Sequence, residues 1–490
     1  MLGDMQLAAL IGKESPALPE GGATEILGLT ADSRAVQPGY LFAALPGTKL
    51  DGTAFIAQAL EKGASALLVP QSARVDAAVP VIADRNPRRG LALMAARFFG
   101  IQPRVIAAVT GTNGKTSVAT FTRQIWAALG EPAASLGTLG VTSPKGERAL
   151  GSTTPDPVAL QAELAALAEE GVTHLAMEAS SHGLAQYRLD GAKLAAAGFT
   201  NITRDHMDYH TSFDDYLYAK LRLFGEVMGP GGVAVINADS AQFAEFEAVS
   251  WARGHRVISV GRKGRDIFLS AVRPTLRGQV LGIVHDGENY NVNLPLVGGF
   301  QASNALVAAG LAIGCGADAA KVFAALENLE GARGRMEEVA HLPVGASVYV
   351  DYAHTPDALQ NVLEAMRPHT SKRLLVVFGC GGDRDKGKRP IMGEVAAKLA
   401  DGVYVTDDNP RSESAAEIRK EVMKGCPAAE EIGDRAAAIE AAMRTLGEGD
   451  VLVVAGKGHE TGQVIGDKVI PFSDHEAIEA AARKLAGGGA

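Results

Sequence analysis

Residues 105–117 read VIAAVTGTNGKTS, an apolar run that ends in a glycine-rich loop followed by Lys-Thr-Ser. This is the sequence form of a phosphate-binding turn between a buried strand and a helix. The glycines let the backbone curl so that several N–H groups face one anion, and the following helix adds its positive N-terminal end. Lys115 can reach terminal phosphates, and the hydroxyl of Thr116 or Ser117 can ligate Mg²⁺. Only two residues separate the glycines of GTNGKTS, fewer than in the usual Walker form. The context supplies what the bare motif lacks: a β-branched run before it, and SVATFTRQIWAALG after it, apolar at helical spacing. A nucleotide site is therefore predicted over Gly111, Thr112, Asn113, Gly114, Lys115, Thr116 and Ser117, in preference to an ordinary strand-to-helix turn.

The chain around this loop has 490 residues, 47% of them hydrophobic, which is enough for several separate cores. With 47 basic and 56 acidic residues its net charge is −9, which argues against a nucleic-acid partner or a basic membrane patch. An acidic substrate must then be held by local arginines and lysines. Cys315, Cys380 and Cys426 are isolated, with no CxxC, and fit a reducing compartment. The start MLGDMQLAALIGKESP has no basic segment or long apolar core, and no later run reaches membrane-spanning length. A soluble cytoplasmic protein, not inserted in a membrane, is expected.

The pattern divides the chain at two places. Residues 1–100 alternate short apolar strands (Tyr40–Ala44, Ala66–Val69, Val81–Ala83) with small helices, the last opened by Asn86-Pro87, and Ile101-Gln102-Pro103 reads as a linker. Over 101–335, strands at Val105–Val109, Val172–Glu178, Ala195–Asn201, Val233–Asn237 and Arg256–Val260 alternate with helices. After Arg335 the alternation restarts with Ser347–Asp351, Arg373–Phe378, Gly402–Thr406 and Asp450–Ala455, giving a last domain over 336–490. The expected fold class is α/β in three domains: a small N-terminal α/β domain, a central mostly parallel phosphate-loop sheet with helices on both faces, and a C-terminal Rossmann-like α/β domain.

In open parallel sheets ligands sit beyond the carboxyl ends of the strands, so the residues just past each strand are informative. Val172–Met177 leads into EASSHG, with Glu178, Ser180 and His182, and Ala195–Asn201 into TRDHMDYH, with Asp205, His206, Asp208 and His210. Together with the phosphate loop these read as a metal–nucleotide site, in which Glu178 and His206 suit a divalent cation bridging phosphates. In the last domain the strands lead into DYAHTPD, GCGGDRDKGKR, DDNPR and GKGHE. Arg384, Arg411, Lys457 and Glu460 at one sheet edge suit a zwitterionic small molecule. In FDDYLYAKLRLFGEV, Phe213, Leu217, Leu221 and Phe224 form an apolar stripe on which Lys220 falls. On the residues alone Lys220 reads as a lysine that snorkels its amine to the rim, the alternative being a lysine held for chemistry.

In this order GTNGKTS, MEASSHGL, NITRDHMDYH, GRGRME, DYAHTPD and GCGGDRDKGKRP resemble the Mur ligases of peptidoglycan synthesis, over nearly the whole chain. The resemblance implies a UDP-binding first domain, a central ATPase and a C-terminal amino-acid domain, acting as a monomer. It is nearest to members that add meso-diaminopimelate to UDP-N-acetylmuramoyl-L-alanyl-D-glutamate with ATP and Mg²⁺, through an acyl phosphate. Ser33, Thr48, Lys49, Leu50, Ser152, Thr153, Thr154, Ser180, Gln186 and Arg188 are then expected to hold the UDP-muramoyl-dipeptide. Asn304, Arg335 and Asp351 join the ATP site, with Lys115, Glu178, His206, Lys220, Arg335 and Asp351 as catalytic residues. Lys220 matches the lysine that the family carbamylates, an N6-carboxylysine that joins Thr116, Ser117, Glu178 and His206 at the metal. Arg384, Asp408, Asn409, Pro410, Arg411, Gly456 and Glu460 are expected to bind diaminopimelate. Where the family often has FNxxN this chain reads FQASN, so Asn304 is carried over and Gln301, its amide displaced by one methylene, is not. The L-lysine-adding ligase, folylpolyglutamate synthase and a phosphate-loop ATPase without ligase activity are the alternatives.

Overall fold

The computed structural model describes residues 4–12, 22–47, 51–203, 209–275 and 277–487. It divides into two compact units, Met1–Ile267 with Val307–Val322, and Phe268–Leu306 with Phe323–Ala490.

The first unit opens with a four-stranded parallel sheet in sequential order, β1 (Gly28–Thr30), β2 (Tyr40–Ala43), β3 (Ala66–Pro70) and β4 (Val81–Asp84). Helix α1 (Pro87–Phe99) begins where its sequence says it should: the Asn86 side chain accepts from Arg89 N, and Pro87 takes the first helical position, where its missing N–H costs nothing. Its Leu91, Met94, Ala95 and Phe98 pack with Leu29, Leu41 and Leu68 of the sheet. The turn after α1, which reads as a linker, is tied down. Gln102 Nε2 donates to Gln161 Oε1 and to Gly191 O, both at 2.9 Å, and Gln102 Oε1 accepts Lys193 N at 2.9 Å.

The larger sheet of this unit is built from β5 (Val105–Thr110), β6 (Ala133–Gly137), β7 (Gly140–Ser143), β8 (Gly146–Arg148), β9 (His174–Glu178), β10 (Leu194–Phe199), β11 (Val233–Asn237) and β12 (Arg256–Gly261), in the order β8-β7-β6-β9-β5-β10-β11-β12. All neighbours run parallel except β6-β7-β8, a short antiparallel edge that the sequence pattern does not announce. Helices α2 (Lys115–Ala128), α3 (Pro157–Glu169), α4 (Ser181–Ala185) and α5 (Phe213–Arg222) connect the strands. One core packs Ile106 and Ala108 of β5 and Leu175 and Met177 of β9 with Leu160, Leu164 and Leu167 of α3. In the same core Phe199 stacks on Phe246 with ring centroids 3.7 Å apart.

In the second unit β13 (Gly278–His285) and β14 (Glu288–Leu294) pair antiparallel. Beyond them lies a six-stranded sheet, β15 (Arg335–His341), β16 (Ser347–Asp351), β17 (Leu374–Phe378), β18 (Gly402–Val405), β19 (Glu430–Glu431) and β20 (Val451–Ala455), ordered β15-β16-β20-β17-β18-β19 and parallel except for β15. Val376, Phe378 and Val453 enter one apolar cluster, Leu375, Val377, Leu452 and Val454 another. Both faces are covered, which is why these strands read as unbroken apolar runs, LLVVF and VLVVA. A hairpin, β21 (Gly462–Ile465) and β22 (Lys468–Pro471), leads to the last helix, α6 (Asp474–Gly487). No helix among the described residues is long and apolar enough to cross a membrane.

Candidate active site

In the first unit β9 and β10 flank β5, with Glu178 level with Val109 and Phe199 level with Thr110. The loops after these three strands therefore leave the sheet at one carboxyl edge. The phosphate loop is shaped by Gly111 (φ 153°) and Gly114 (φ 88°), and a Cβ at Gly111 would run into the Thr200 hydroxyl. The loop after β10 braces it: Thr200 Oγ1 donates to Asn113 O at 2.6 Å, Asn113 N to Asn201 Oδ1 at 3.0 Å and Thr112 N to Asn201 O at 2.8 Å. Lys115 opens α2, and its Nζ lies back over the loop, 2.8 Å from both Gly111 O and Thr112 O. Thr116 and Ser117 are buried in the first turn of that helix.

Glu178, at the end of β9, is buried, and its carboxylate is oriented by Thr138, a residue that no motif in the sequence singles out. Thr138 N donates to Oε1 at 2.7 Å and Thr138 Oγ1 to Oε2 at 3.2 Å. Gly137 must be glycine here, because a Cβ would overlap the Glu178 carboxylate. The residues expected to grip a muramoyl-dipeptide share one network around it. Thr138 and Thr153 hydroxyls lie 3.0 Å apart, Thr154 Oγ1 donates to Glu178 O at 3.2 Å, and Ser180 Oγ donates to Thr154 Oγ1 at 3.0 Å. Ser152 Oγ and Arg188 Nη1 donate to Thr154 O at 3.0 and 2.6 Å, and Arg188 Nη2 donates to Gln186 Oε1 at 2.7 Å. Gln186 Nε2 in turn donates to Tyr209 OH at 3.1 Å. Ser33, in the first sheet's part of the unit, donates to Gln58 Oε1 at 2.7 Å. Thr48, Lys49 and Leu50 lie outside the described residues, as do Asp205, His206 and Asp208.

The structure corrects the expectation that Lys220 snorkels. The buried face of α5 is Tyr216, Ala219 and Lys220, while Phe213 is exposed. Lys220 is 1% exposed, so its amine does not reach the rim. The ammonium is desolvated at the phosphate loop, donating to Gly111 O at 2.9 Å and lying 4.3 Å from the Tyr216 ring centroid. The Glu178 carboxylate and the Thr116 and Ser117 hydroxyls are oxygen donors, of the kind a hard divalent cation takes.

In the second unit Arg335 and Asp351 are opposite each other across β15 and β16. Asp351 Oδ2 accepts Met336 N and Oδ1 accepts Ala353 N, both at 2.8 Å. Burial pushes its carboxyl up to about 6, against the pull of the Arg335 guanidinium. Arg335 packs over the Tyr352 ring at 4.5 Å. Burial, with Arg335 and Arg333 adding to it, holds His459 down at about 4 and therefore neutral. Gln301 belongs to this group despite the departure from FNxxN: its Nε2 donates to Arg335 O at 3.5 Å, and its Oε1 accepts Asn304 Nδ2 at 3.1 Å.

The loops after β17, β18 and β20 meet at the same sheet edge. Arg411 stands in the left-handed region (φ 51°), and its Nη1 donates to Gly382 O at 2.8 Å. Pro410 O packs so closely on Gly382 that no side chain fits there. Asn409 Nδ2 donates to Glu460 Oε2 at 2.9 Å, Asp408 is buried, and Gly456 (φ 116°) passes beside its carboxylate. Arg384 is exposed, its Nη1 at 3.4 Å from Asp383 O. Lys457, which the sequence places among ligand-facing cations, is instead fully buried and turned inward.

Family models match three consecutive segments: the Mur ligase family catalytic domain over 25–99, the Mur ligase middle domain over 109–312, and the Mur ligase glutamate ligase domain over 334–458. The chain is 57% identical over 481 residues to the UDP-N-acetylmuramoyl-L-alanyl-D-glutamate--2,6-diaminopimelate ligase of Bradyrhizobium diazoefficiens, covering 97% of this chain and 99% of that protein. It is 56% identical to the protein of the same name from Caulobacter vibrioides, over 92% and 94% of the two chains. A solved UDP-N-acetylmuramoyl-L-alanyl-D-glutamate--2,6-diaminopimelate ligase superposes with a TM-score of 0.74 at 31% identity, covering 99% of this chain and 100% of that one. The phosphate loop, the strand-end carboxylate with its threonine network and the buried helix lysine thus stand in a chain that matches these relatives almost end to end, and it belongs to the Mur ligase family.

Proposed function

We infer that this chain is an ATP-dependent amide-forming ligase that joins meso-diaminopimelate to UDP-N-acetylmuramoyl-L-alanyl-D-glutamate, a step of peptidoglycan precursor synthesis. The observation that carries this reading is the shared carboxyl edge of β5, β9 and β10, where the phosphate loop and the Thr154–Ser180–Arg188 network adjoin Glu178. A phosphoryl donor and a carboxylate acceptor held at one edge are what acyl-phosphate formation requires.

In this reading Gly111 to Ser117 cradle the ATP phosphates, with Asn304, Arg335 and Asp351 on the nucleotide. Ser33 and residues 48–50 take the UDP end, and Ser152, Thr153, Thr154, Ser180, Gln186 and Arg188 orient the muramoyl-dipeptide. A D-glutamyl carboxylate oxygen attacks the γ-phosphorus, the bond to the bridging oxygen breaks and ADP leaves. The diaminopimelate amine then attacks the acyl carbon, a C–N bond replaces the C–O bond to phosphate, and phosphate and a proton depart. Lys115 neutralises charge on the transferring oxygens, which is where such reactions gain much of their rate. Glu178, Thr116, Ser117, His206 and a carbamate on Lys220 would hold Mg²⁺, which when bound supplies further charge neutralisation at the phosphates. The enzyme works as a cytoplasmic monomer, where its nucleotide substrates are found.

A panel of amino acids offered with UDP-muramoyl-dipeptide and ATP tests the reading. Phosphate release is expected with meso-diaminopimelate and to be low without an amino acid. Equal release in the absence of any amino acid would return the chain to the simple ATPases. Lys220 has its own test. Enzyme equilibrated with ¹³C-bicarbonate is expected to show a lysine carbamate signal by NMR that is missing from Lys220→Ala, and a short carboxylic acid should restore part of that variant's activity. A fully active enzyme bearing a free Lys220 amine would contradict the carbamate.

A further inference from the structure

Lys457 is among the most completely buried polar side chains of the second unit, at 0% exposure. Its Nζ sits among acceptors from two stretches of chain, 408–409 and 460–462. It donates to Gly462 O at 2.7 Å, to Asn409 Oδ1 at 3.0 Å and to Glu460 Oε2 at 3.3 Å, with Asp408 Oδ1 at 3.5 Å. An ammonium has three protons, and this chain supplies an acceptor for each of them. Lys457 is therefore not placed to meet a ligand. Its partners are: Asn409 and Asp408 belong to the loop after β18, Glu460 to the loop after β20, and Gly462 to the start of the β21–β22 hairpin.

The bonds around Nζ also decide how those partners point. Asn409 Oδ1 is held by Lys457 and by Val464 N at 3.0 Å, which turns Nδ2 toward Glu460. Glu460 Oε2 is held from two sides, by Asn409 Nδ2 and Lys457, while the side chain remains 32% exposed. That leaves Oε1 as the oxygen presented outward. Asp408 and Glu460 bring two carboxylates to this edge, and the buried ammonium offsets part of their charge, as does the Arg435 guanidinium paired with Asp474. The Glu460 carboxylate remains to meet a ligand ammonium, with the Arg411 guanidinium for a carboxylate.

We propose that Lys457 is a positioning residue for amino-acid recognition: it aligns Glu460 and Asn409 and sets the charge of the pocket edge, so that an ammonium and a carboxylate are told apart. This rests on the reading that the edge takes the incoming amino acid. The side chain acts through its neighbours, so its loss should weaken one substrate rather than all three.

The test is steady-state kinetics of the full-length Lys457→Met enzyme, a change that keeps length and removes charge. KM for meso-diaminopimelate is expected to rise roughly tenfold or more, with KM for ATP and for the UDP-substrate within about twofold. Glu460→Gln is expected to raise the same KM, and the double variant to lose less than the product of the single losses, because both act on one group. Lys457→Arg should recover part of the loss. An unchanged diaminopimelate KM in Lys457→Met, beside a raised one in Glu460→Gln, would overturn the inference and leave the site standing. No change in Glu460→Gln or in Arg411→Ala would remove the site itself. If Lys457→Met does not fold, Lys457→Gln, which keeps a donor without the charge, is measured in the same way. Failure of both to fold, or an equal rise in all three KM values, assigns Lys457 to stability alone and also overturns the inference.

Discussion

Lys115→Ala is expected to fold normally and to lose ligation by roughly 10²-fold or more. The side chain is half-buried, and its Nζ contacts at 2.8 Å are the carbonyls of its own loop, Gly111 and Thr112. Alanine is the best helix former, so the first turn of α2 survives the change. The loop is braced from outside by Thr200 and Asn201, neither of which depends on the lysine. What is lost, on the proposed function, is the cation that faces the transferring phosphoryl group, and charge developing on that group then has one counter-charge fewer. Phosphate release with all three substrates, measured beside a thermal melt, checks this. Near-normal turnover in a folded variant would remove Lys115 from the reaction.

The second large effect is expected at Arg411. Meso-diaminopimelate is lysine with a second carboxylate at its far end. A guanidinium fork can make two parallel charge-assisted bonds to that group. The structure holds this fork in place at some conformational cost. Arg411 has φ 51°, kept there by Arg411 N donating to Val464 O at 3.0 Å and Gly466 N donating to Arg411 O at 2.7 Å. Nη1 on Gly382 O fixes one corner of the guanidinium. L-Lysine would leave the guanidinium without its carboxylate, and a site built for a polar group rejects an analogue lacking it by roughly 10⁴-fold. The unmutated enzyme should therefore favour meso-diaminopimelate over L-lysine by that order in kcat/KM, and Arg411→Ala should lose most of the preference. Arg411→Lys should recover little, since a point charge lacks the fork. Equal or better use of L-lysine by the unmutated enzyme would overturn the assignment.

Much of this is legible in the sequence. VIAAVTGTNGKTS carries its strand, loop and helix in thirteen consecutive residues, because a phosphate loop is a local structure made by backbone sterics and one helix terminus. The strands ending in Glu178 and Asp351 can be placed for a similar reason: a strand covered on both faces must be apolar throughout, and the first charged residue marks its end. The short antiparallel edge β6–β8 escapes, since AASLG and GVTS are small-residue segments whose strand character comes from pairing across the sheet.

Contacts between distant residues were decided only by the tertiary structure. Thr138 and Glu178 are forty residues apart, and nothing in SLGTLG shows that its threonine will cap a carboxylate at the end of another strand. Gln301 breaks the FNxxN pattern yet reaches Arg335 O, because a longer amide can meet a carbonyl that only the fold brings near. Lys220 and Lys457 make the point most directly. Local sequence can show that a lysine lies on an apolar stripe or near a sheet edge. Whether its ammonium escapes to water or is enclosed depends on which carbonyls and carboxylates surround it, and those come from Gly111 in one case and from Asn409, Glu460 and Gly462 in the other. Desolvation of a charge is a property of everything packed around it, so it was settled when the chain closed on itself and not by any stretch of sequence alone.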